Sequence, residues 1–436
     1  MIVSFKNRDY TLLFTGQTVS HLGDQFHLIA LPWLVLTLTH DPLQLGAVLA
    51  VAGIPRALLM LIGGVWADRH SPRLIMLVSD ALRFVLTAVL AAAILTGHAQ
   101  MWMVYVLAAA FGIVSGFFMP AAEATVPRLL SSDELEGGNA AMMGADQLAS
   151  FVGPVLAGLL IAAFGAGAHV ASQQAASLLG IGMAFAVDAL SFAVSGLALL
   201  FMRRIPAALA NADTHPLHDV AEGLRYSWTS AHLRAMIIVV GVANFLMMGP
   251  MFVGLPVVAQ GRLSGGAAAY GIIMAAAGIG SLLGMVGASA IPRPSNRVFG
   301  WLAVALFVGF GIAVGALGFV HATWIAAALM FATGLGNGYI AVIAMTALQR
   351  MTAETYLGRV MSLVMLAMVG LAPISQALSG AVIRISPAAL FGGAGVGFML
   401  LAAWTATQRD VWALGGEQVG VDTAAGVAVV LEPEAA

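Results

Sequence analysis

Long apolar runs recur along this chain, separated by short polar breaks. Twelve of them stand near residues 10–38, 43–66, 74–96, 101–124, 138–165 and 179–202, then near 233–259, 268–290, 298–320, 323–347, 357–382 and 388–407. About twenty residues of helix cross a bilayer core of about 30 Å, so each run is of spanning length. Backbone polar groups in lipid must be satisfied within the segment, which makes every run a predicted helix. The longest internal break, about 203–232, divides the chain near its middle. Within it Leu217, Val220, Ala221, Leu224 and Trp228 fall on one helical face, with Asp219, Glu222 and Arg225 elsewhere, which predicts an amphipathic linker helix. The expected domains are 1–202 and 233–407 as six-helix bundles, 203–232 as a cytoplasmic linker and 408–436 as a disordered cytoplasmic tail.

An internal repeat supports two halves. Leu31-Pro32 has a counterpart in Leu255-Pro256, Gly153-Pro154 in Ala372-Pro373, and Pro127-Arg128-Leu129 in Gln349-Arg350-Met351. The offsets are all close to half the chain, as in a parallel six-plus-six repeat. The predicted fold class is an all-α polytopic membrane protein of about twelve helices in two pseudo-symmetric six-helix bundles. Composition agrees: 61% of residues are hydrophobic, only 9% are charged, and the mean hydropathy is +0.96. With the N-terminus inside, every Lys and Arg is cytoplasmic except Arg262 and Arg384 outside and Arg56 and Arg83 within spans. Both termini are therefore expected on the cytoplasmic side. The first run is too long for a signal segment and is read as a retained span.

The break after the second run reads Gly63-Gly64-Val65-Trp66-Ala67-Asp68-Arg69-His70-Ser71-Pro72-Arg73. Paired glycines admit a close helix neighbour, and the charges beyond them can bond to helix ends. An ordinary basic loop needs neither Asp68 nor the glycines, so a gating loop is the preferred reading. G-x-x-x-D-R-x-x-x-R at this place resembles the loop between spans two and three of major facilitator superfamily transporters. Further patterns resemble that superfamily's macrolide-efflux and enterobactin-exporter-like branch, of the drug–proton antiporter type. They are Asn7-Arg8-Asp9-Tyr10, Leu22-Gly23-Asp24, Ala30-Leu31-Pro32-Trp33, Phe117-Phe118-x-Pro120-Ala121 and Leu357-Gly358-Arg359-Val360-Met361-Ser362. The resemblance implies the major facilitator fold and a cytoplasmic gate built from Gly64, Asp68, Arg69 and Arg73, with Glu123 on span four as the acid for Arg73. It departs at Ser71 and Pro72, which replace a glycine and a basic residue. Of the exporter signature in span five, Gly153-Pro154 and Gly158 remain, and a helix bend is expected at Gly153 and Pro154.

Charge inside a span is costly, roughly 2.5–3.5 kcal/mol at mid-bilayer. The first half nevertheless carries Asp24, Arg56, Arg83 and Asp188 near span centres and Asp80, Glu123 and Asp146 nearer the ends, whereas the second half has no acid in any span. Ion coupling is therefore expected in the first bundle. His21 and His27 flank Asp24 at i−3 and i+3 and can share its side of the helix. Asp24, His21, His27, Arg56 and Arg83 form the candidate proton-coupling set, with Arg56 as the preferred partner of Asp24. A static Asp24–Arg56 pair that locks two helices is an equal reading. Asp80 and Arg83, one turn apart, are expected to neutralise each other, and Asp188 to hold helices together by hydrogen bonding.

Asn244, Phe245, Tyr270, Asn337, Tyr339 and Gln376 are candidate lining residues of a substrate cavity, with Ser375 beside them. The 23 methionines add deformable apolar surface. Few fixed charges there favour lipophilic or amphipathic cargo. No Walker loop, H-E-x-x-H or G-x-S-x-G stands in a fitting context, and there is no cysteine, so no enzyme, cofactor or metal site is expected. The expected protein is a monomeric proton-coupled exporter in a bacterial cytoplasmic membrane. Its partners are a small-molecule substrate, protons and the bilayer, with no nucleic acid. The alternatives are a siderophore exporter, a lysophospholipid carrier, or a non-transporting receptor or scaffold.

Overall fold

The protein is described by a computed structural model that covers residues 4–167, 173–203, 205, 225–290, 296–352, 354–408, 419–422 and 427–430. The first six long helices are α1 (Arg8–Thr39), α2 (Pro42–Arg69), α3 (Pro72–Leu95), α4 (Met101–Leu129), α5 (Ser132–Gly167) and α6 (Gln173–Phe201). Span seven is α7 (Ala231–Gly249), a π-helical turn (Pro250–Gly254) and α8 (Leu255–Arg262). Then come α9 (Gly266–Ala290), α10 (Asn296–Leu317), α11 (Thr323–Met351), α12 (Glu354–Val369), α13 (Ala372–Ile383) and α14 (Pro387–Thr407). Among the described residues, twelve helical segments are long and apolar enough to cross a membrane. Most of the expected linker helix, 206–224, lies outside the described residues. In the tail, β1 (Val419–Asp422) pairs antiparallel with β2 (Val427–Val430), so part of a segment expected to lack order has a regular backbone. Its β-branched valines favour the extended conformation.

Two compact units emerge. One holds Met1–Ala212 with Leu255–Ala275 and His321–Thr323; the other holds the remainder. In the first unit α1 lies against α5 and α6, α2 against α4, and α3 against α4 and α6. Small residues make these approaches possible: a Cβ on Gly112 would overlap the Ala52 carbonyl, and one on Gly116 would lie 2.8 Å from the Leu59 Cβ. In the second unit Gly334 and Gly338 stand at the matching places of α11, against Ala277 and Ser281 of α9. The repeat visible in sequence is thus a repeat of backbone contacts. Leu255–Ala275 joins the first unit because Gly271 admits the Pro154 carbonyl, while Trp33 stacks on Tyr270 with centroids 6.2 Å apart.

The halves differ where prolines fall. α1 and α5 run through Pro32 and Pro154 without a break. Span eleven instead divides at Gly370-Leu371, ahead of Pro373 in the first turn of α13. Span seven opens next to it. Ser375 Oγ accepts the Gly249 N–H at 2.9 Å and donates to the Phe245 carbonyl. A side chain from α13 therefore stands between two groups that would close an ordinary helical turn, just before Pro250, which has no N–H to give.

Candidate functional site

The buried charges of the first unit gather from five helices. His27 on α1 places Nδ1 3.0 Å from Asp188 Oδ2 on α6. The Asp188 side chain is fully buried and His27 is 19% exposed. Gly23 makes room: a Cβ there would overlap Ser191 Oγ and sit 3.2 Å from Asp188 Oδ1. The imidazole stacks on Phe111 at 4.7 Å and meets the edge of Phe185 at 5.2 Å. Two turns toward the start of α1, His21 Nδ1 lies 3.5 Å from Asp146 Oδ1 of α5, with exposures of 38% and 44%. Each histidine thus faces an acid on another helix, which corrects the expectation that both serve Asp24. Neighbours at i±3 share a side of a helix, but the helix packed against each position decides its partner.

Asp24 stands half-buried between the two pairs. It interacts electrostatically with Arg56, Arg83, Asp80, Asp146 and Asp188. No ion pair joins it to Arg56 among the described residues. The preferred Asp24–Arg56 pair is therefore not formed, and Arg56 Nε is buried without a hydrogen-bond partner. Arg83, 4% exposed, lays its guanidinium 4.0 Å above the Phe118 ring, with Phe111 and Phe192 at 5.5 and 5.6 Å. Its Nε is also unpartnered. Asp80 is fully buried, with the Ser195 hydroxyl of α6 as its polar neighbour. Asp80 and Arg83 therefore act on each other at a distance, without the direct pair expected of residues one turn apart. Sequence reading placed the acids and cations in this bundle but missed the phenylalanine cage and the His27–Asp188 pair. Asp188 carried a signal, as an acid inside a span.

The expected gate is differently built. Asp68 and Arg69 close α2 and Arg73 lies in the first turn of α3, leaving only His70 and Ser71 between helices. Arg73 Nε and Nη2 donate to the Leu199 and Leu200 carbonyls at 2.7 and 3.0 Å, and Ser71 Oγ donates to the Ile205 carbonyl at 2.6 Å. Glu123 is exposed and forms no ion pair with Arg73 among the described residues. The arginine is held by the end of α6, where carbonyls without helical partners carry the negative end of the dipole. Gly63, not Gly64, is the close contact: a Cβ on Gly63 would lie 2.5 Å from the Gly116 carbonyl, whereas one on Gly64 would meet nothing. The Asp68 side chain lies outside the described part.

The same end of the unit explains the Asn-Arg-Asp-Tyr pattern. Asn7 caps α1 by accepting from the Asp9 and Tyr10 amides and donates to the Leu129 carbonyl at 2.6 Å. Asp9 accepts from the Arg203 amide at 3.2 Å, and the buried Tyr10 hydroxyl donates to the Gly138 carbonyl at 2.8 Å. Four helix ends are tied by one short segment.

The sequence profile of the Major Facilitator Superfamily matches residues 13–375. The chain belongs to that superfamily. It is a multi-pass membrane transporter, not an enzyme. Among its relatives, the multidrug efflux pump Tap of Mycolicibacterium fortuitum is 27% identical over 312 residues, 70% of this chain and 72% of Tap. The enterobactin exporter EntS of Escherichia coli is 23% identical over 338 residues, 76% of this chain and 75% of EntS. The uncharacterised MFS-type transporter YfiS of Bacillus subtilis is 27% identical over 220 residues, where the match spans only 48% of that protein. Among solved structures, an inward-facing bacterial homologue of the iron transporter ferroportin aligns with a TM-score of 0.70 and 16% identity, over 92% of this chain and 99% of the other. That likeness concerns the fold.

The candidate cargo residues of this transporter divide between the units. Tyr270 belongs to the first, fully buried against Trp33. Asn244, Phe245, Asn337, Tyr339 and Gln376 belong to the second. There the Asn244 amide donates to its own helix at Val240, and the Phe245 carbonyl takes the Ser375 proton.

Proposed function

We propose that this transporter is a proton-coupled exporter of lipophilic or amphipathic small molecules, working by alternating access in a bacterial cytoplasmic membrane with both termini inside. The observation that carries the reading is the cluster of charged and titratable side chains on α1, α2, α3, α5 and α6, buried at Asp80, Arg83 and Asp188 and open at His21 and Asp146. It places four aspartates, two arginines and two histidines within electrostatic reach of one another. Such groups are costly inside a membrane and mark ion pathways. An uncoupled carrier of apolar cargo needs none of them. The efflux function named for Tap and EntS supports outward transport. Asn244, Phe245, Asn337, Tyr339 and Gln376 of the second unit and Tyr270 of the first are the candidate cargo contacts, with the α2–α3 turn as the cytoplasmic gate.

Energised inverted vesicles containing the protein test this with a panel of ethidium, a macrolide and a catecholate siderophore. At least one compound should accumulate, and an uncoupler should release it. No accumulation at matched expression would reject export, and accumulation indifferent to the uncoupler would reject proton coupling. Export of a siderophore is the second reading, favoured by the likeness to EntS. Accumulation of the catecholate alone would select it.

A further inference from the structure

We infer that the His27–Asp188 pair is where this transporter loads its proton, and that the proton arrives from the His21–Asp146 pair by way of Asp24. The inference rests on the proton-coupled reading and names its site. Three features of geometry lead there.

The first is a count of charge. Asp24 on α1 and Arg83 on α3 act directly on the pair, and through Asp24 the cluster extends to Arg56 on α2, Asp80 on α3 and the His21–Asp146 pair of α1 and α5, while α4 contributes the phenylalanines under Arg83. Guanidinium groups stay charged in proteins. With His27 neutral and Asp24, Asp80 and Asp188 ionised, the inner acids exceed Arg56 and Arg83 by one, while Asp146, 44% exposed, is hydrated and needs no buried partner. An uncompensated buried charge is expensive, so the resting cluster retains a proton, and the His27–Asp188 pair is there to hold it.

The second is the difference between the pairs. His21 and Asp146 are near 40% exposed and can exchange with water, whereas Asp188 is sealed. His21, Asp24 and His27 follow one another at three-residue steps, about 4.5 Å of rise each. Asp24 interacts with both Asp146 and Asp188, so it is the intermediate acceptor between an open station and a closed one. His27 also borders a small, mostly apolar cavity with Leu31, Thr87, Leu90 and Phe111, where Thr87 Oγ1 has no hydrogen-bond partner among the described residues.

The third is the state of Arg83. It rests on three ring faces rather than in a bidentate carboxylate pair. When the proton leaves His27–Asp188, the pair gains one negative charge within the field of Arg83. The guanidinium is drawn toward Asp188 and away from Phe118. Only a proton moves and no covalent bond between heavy atoms changes.

Proton uptake by the purified full-length protein, emptied at alkaline pH and then followed with a pH dye in lightly buffered detergent after an acid jump, tests the assignment without any cargo. The double variant His27→Gln with Asp188→Asn, which keeps side-chain size and polarity, should take up one proton fewer than the wild type. Asp24→Asn should slow the uptake assigned to His27–Asp188 at least tenfold. An undiminished count in the double variant, or an unaltered rate in Asp24→Asn, would overturn the proposal. Should that double variant misfold, His27→Asn with Asp188→Ser removes the same two titrating groups and gives the same comparison of counts. Ethidium flux in proteoliposomes under an imposed pH gradient is read separately. Flux without proton movement there would remove the coupled reading while leaving the proton count to judge the site.

Discussion

Arg83 is a buried cation set among three aromatic faces, with Asp24, Asp80 and Asp188 acting on it without a direct ion pair among the described residues. A desolvated cation–π contact is worth about 2 kcal/mol. Replacing Phe118 by Leu removes the nearest ring and leaves a small void, so Phe118→Leu should lower stability by about 2–3 kcal/mol in a denaturant titration in detergent. Asp24 is the contrasting case. It is half-buried without an ion pair, so Asp24→Asn should stay within about 1 kcal/mol of the wild type, well short of the roughly 3–5 kcal/mol lost on breaking a dry pair. The same variant should fail to export against a gradient while still exchanging cargo downhill. A large stability loss would show that Asp24 is a structural partner after all.

At the scale of elements, the α2–α3 turn is fastened to the end of α6. Arg73→Ala gives up two charge-assisted bonds to carbonyls at a partly exposed site, a loss of about 2 kcal/mol. Glu123→Gln changes an exposed residue without that partner and should stay within about 0.5 kcal/mol. Thermal melts of the two variants, measured side by side, check the order. Equal losses would restore the Arg73–Glu123 pair expected from the family pattern. The pattern itself was legible at Gly63 through Arg73, because glycine, acid and base stand at a span boundary. The partner was not, since Leu199 and Leu200 offer only backbone carbonyls, which leave no trace in residue type.

For the whole molecule, the asymmetry of basic residues predicts an orientation that reporter fusions can measure. Fusions after His98 and His321 should read as external, and fusions after Arg204 and Arg409 as internal. A central loop read as external would defeat the six-plus-six arrangement. The repeat has a physical counterpart in the matched glycine contacts of α2 with α4 and of α9 with α11. It is broken at span seven, which Ser375 and Pro250 open, while α1 passes intact through Pro32.

Sequence alone determined the spans, the fold class and the concentration of charge in the first half. Each follows from a property counted along one strand of chain: run length, glycine spacing, or the presence of an acid in lipid. Only tertiary structure decided the partners. His21 and His27 turned to Asp146 and Asp188, Arg83 to three phenylalanines, and Arg73 to the end of α6. A helix sets the direction in which a side chain leaves its axis, but the neighbour that meets it comes from another helix, whose place no local pattern records.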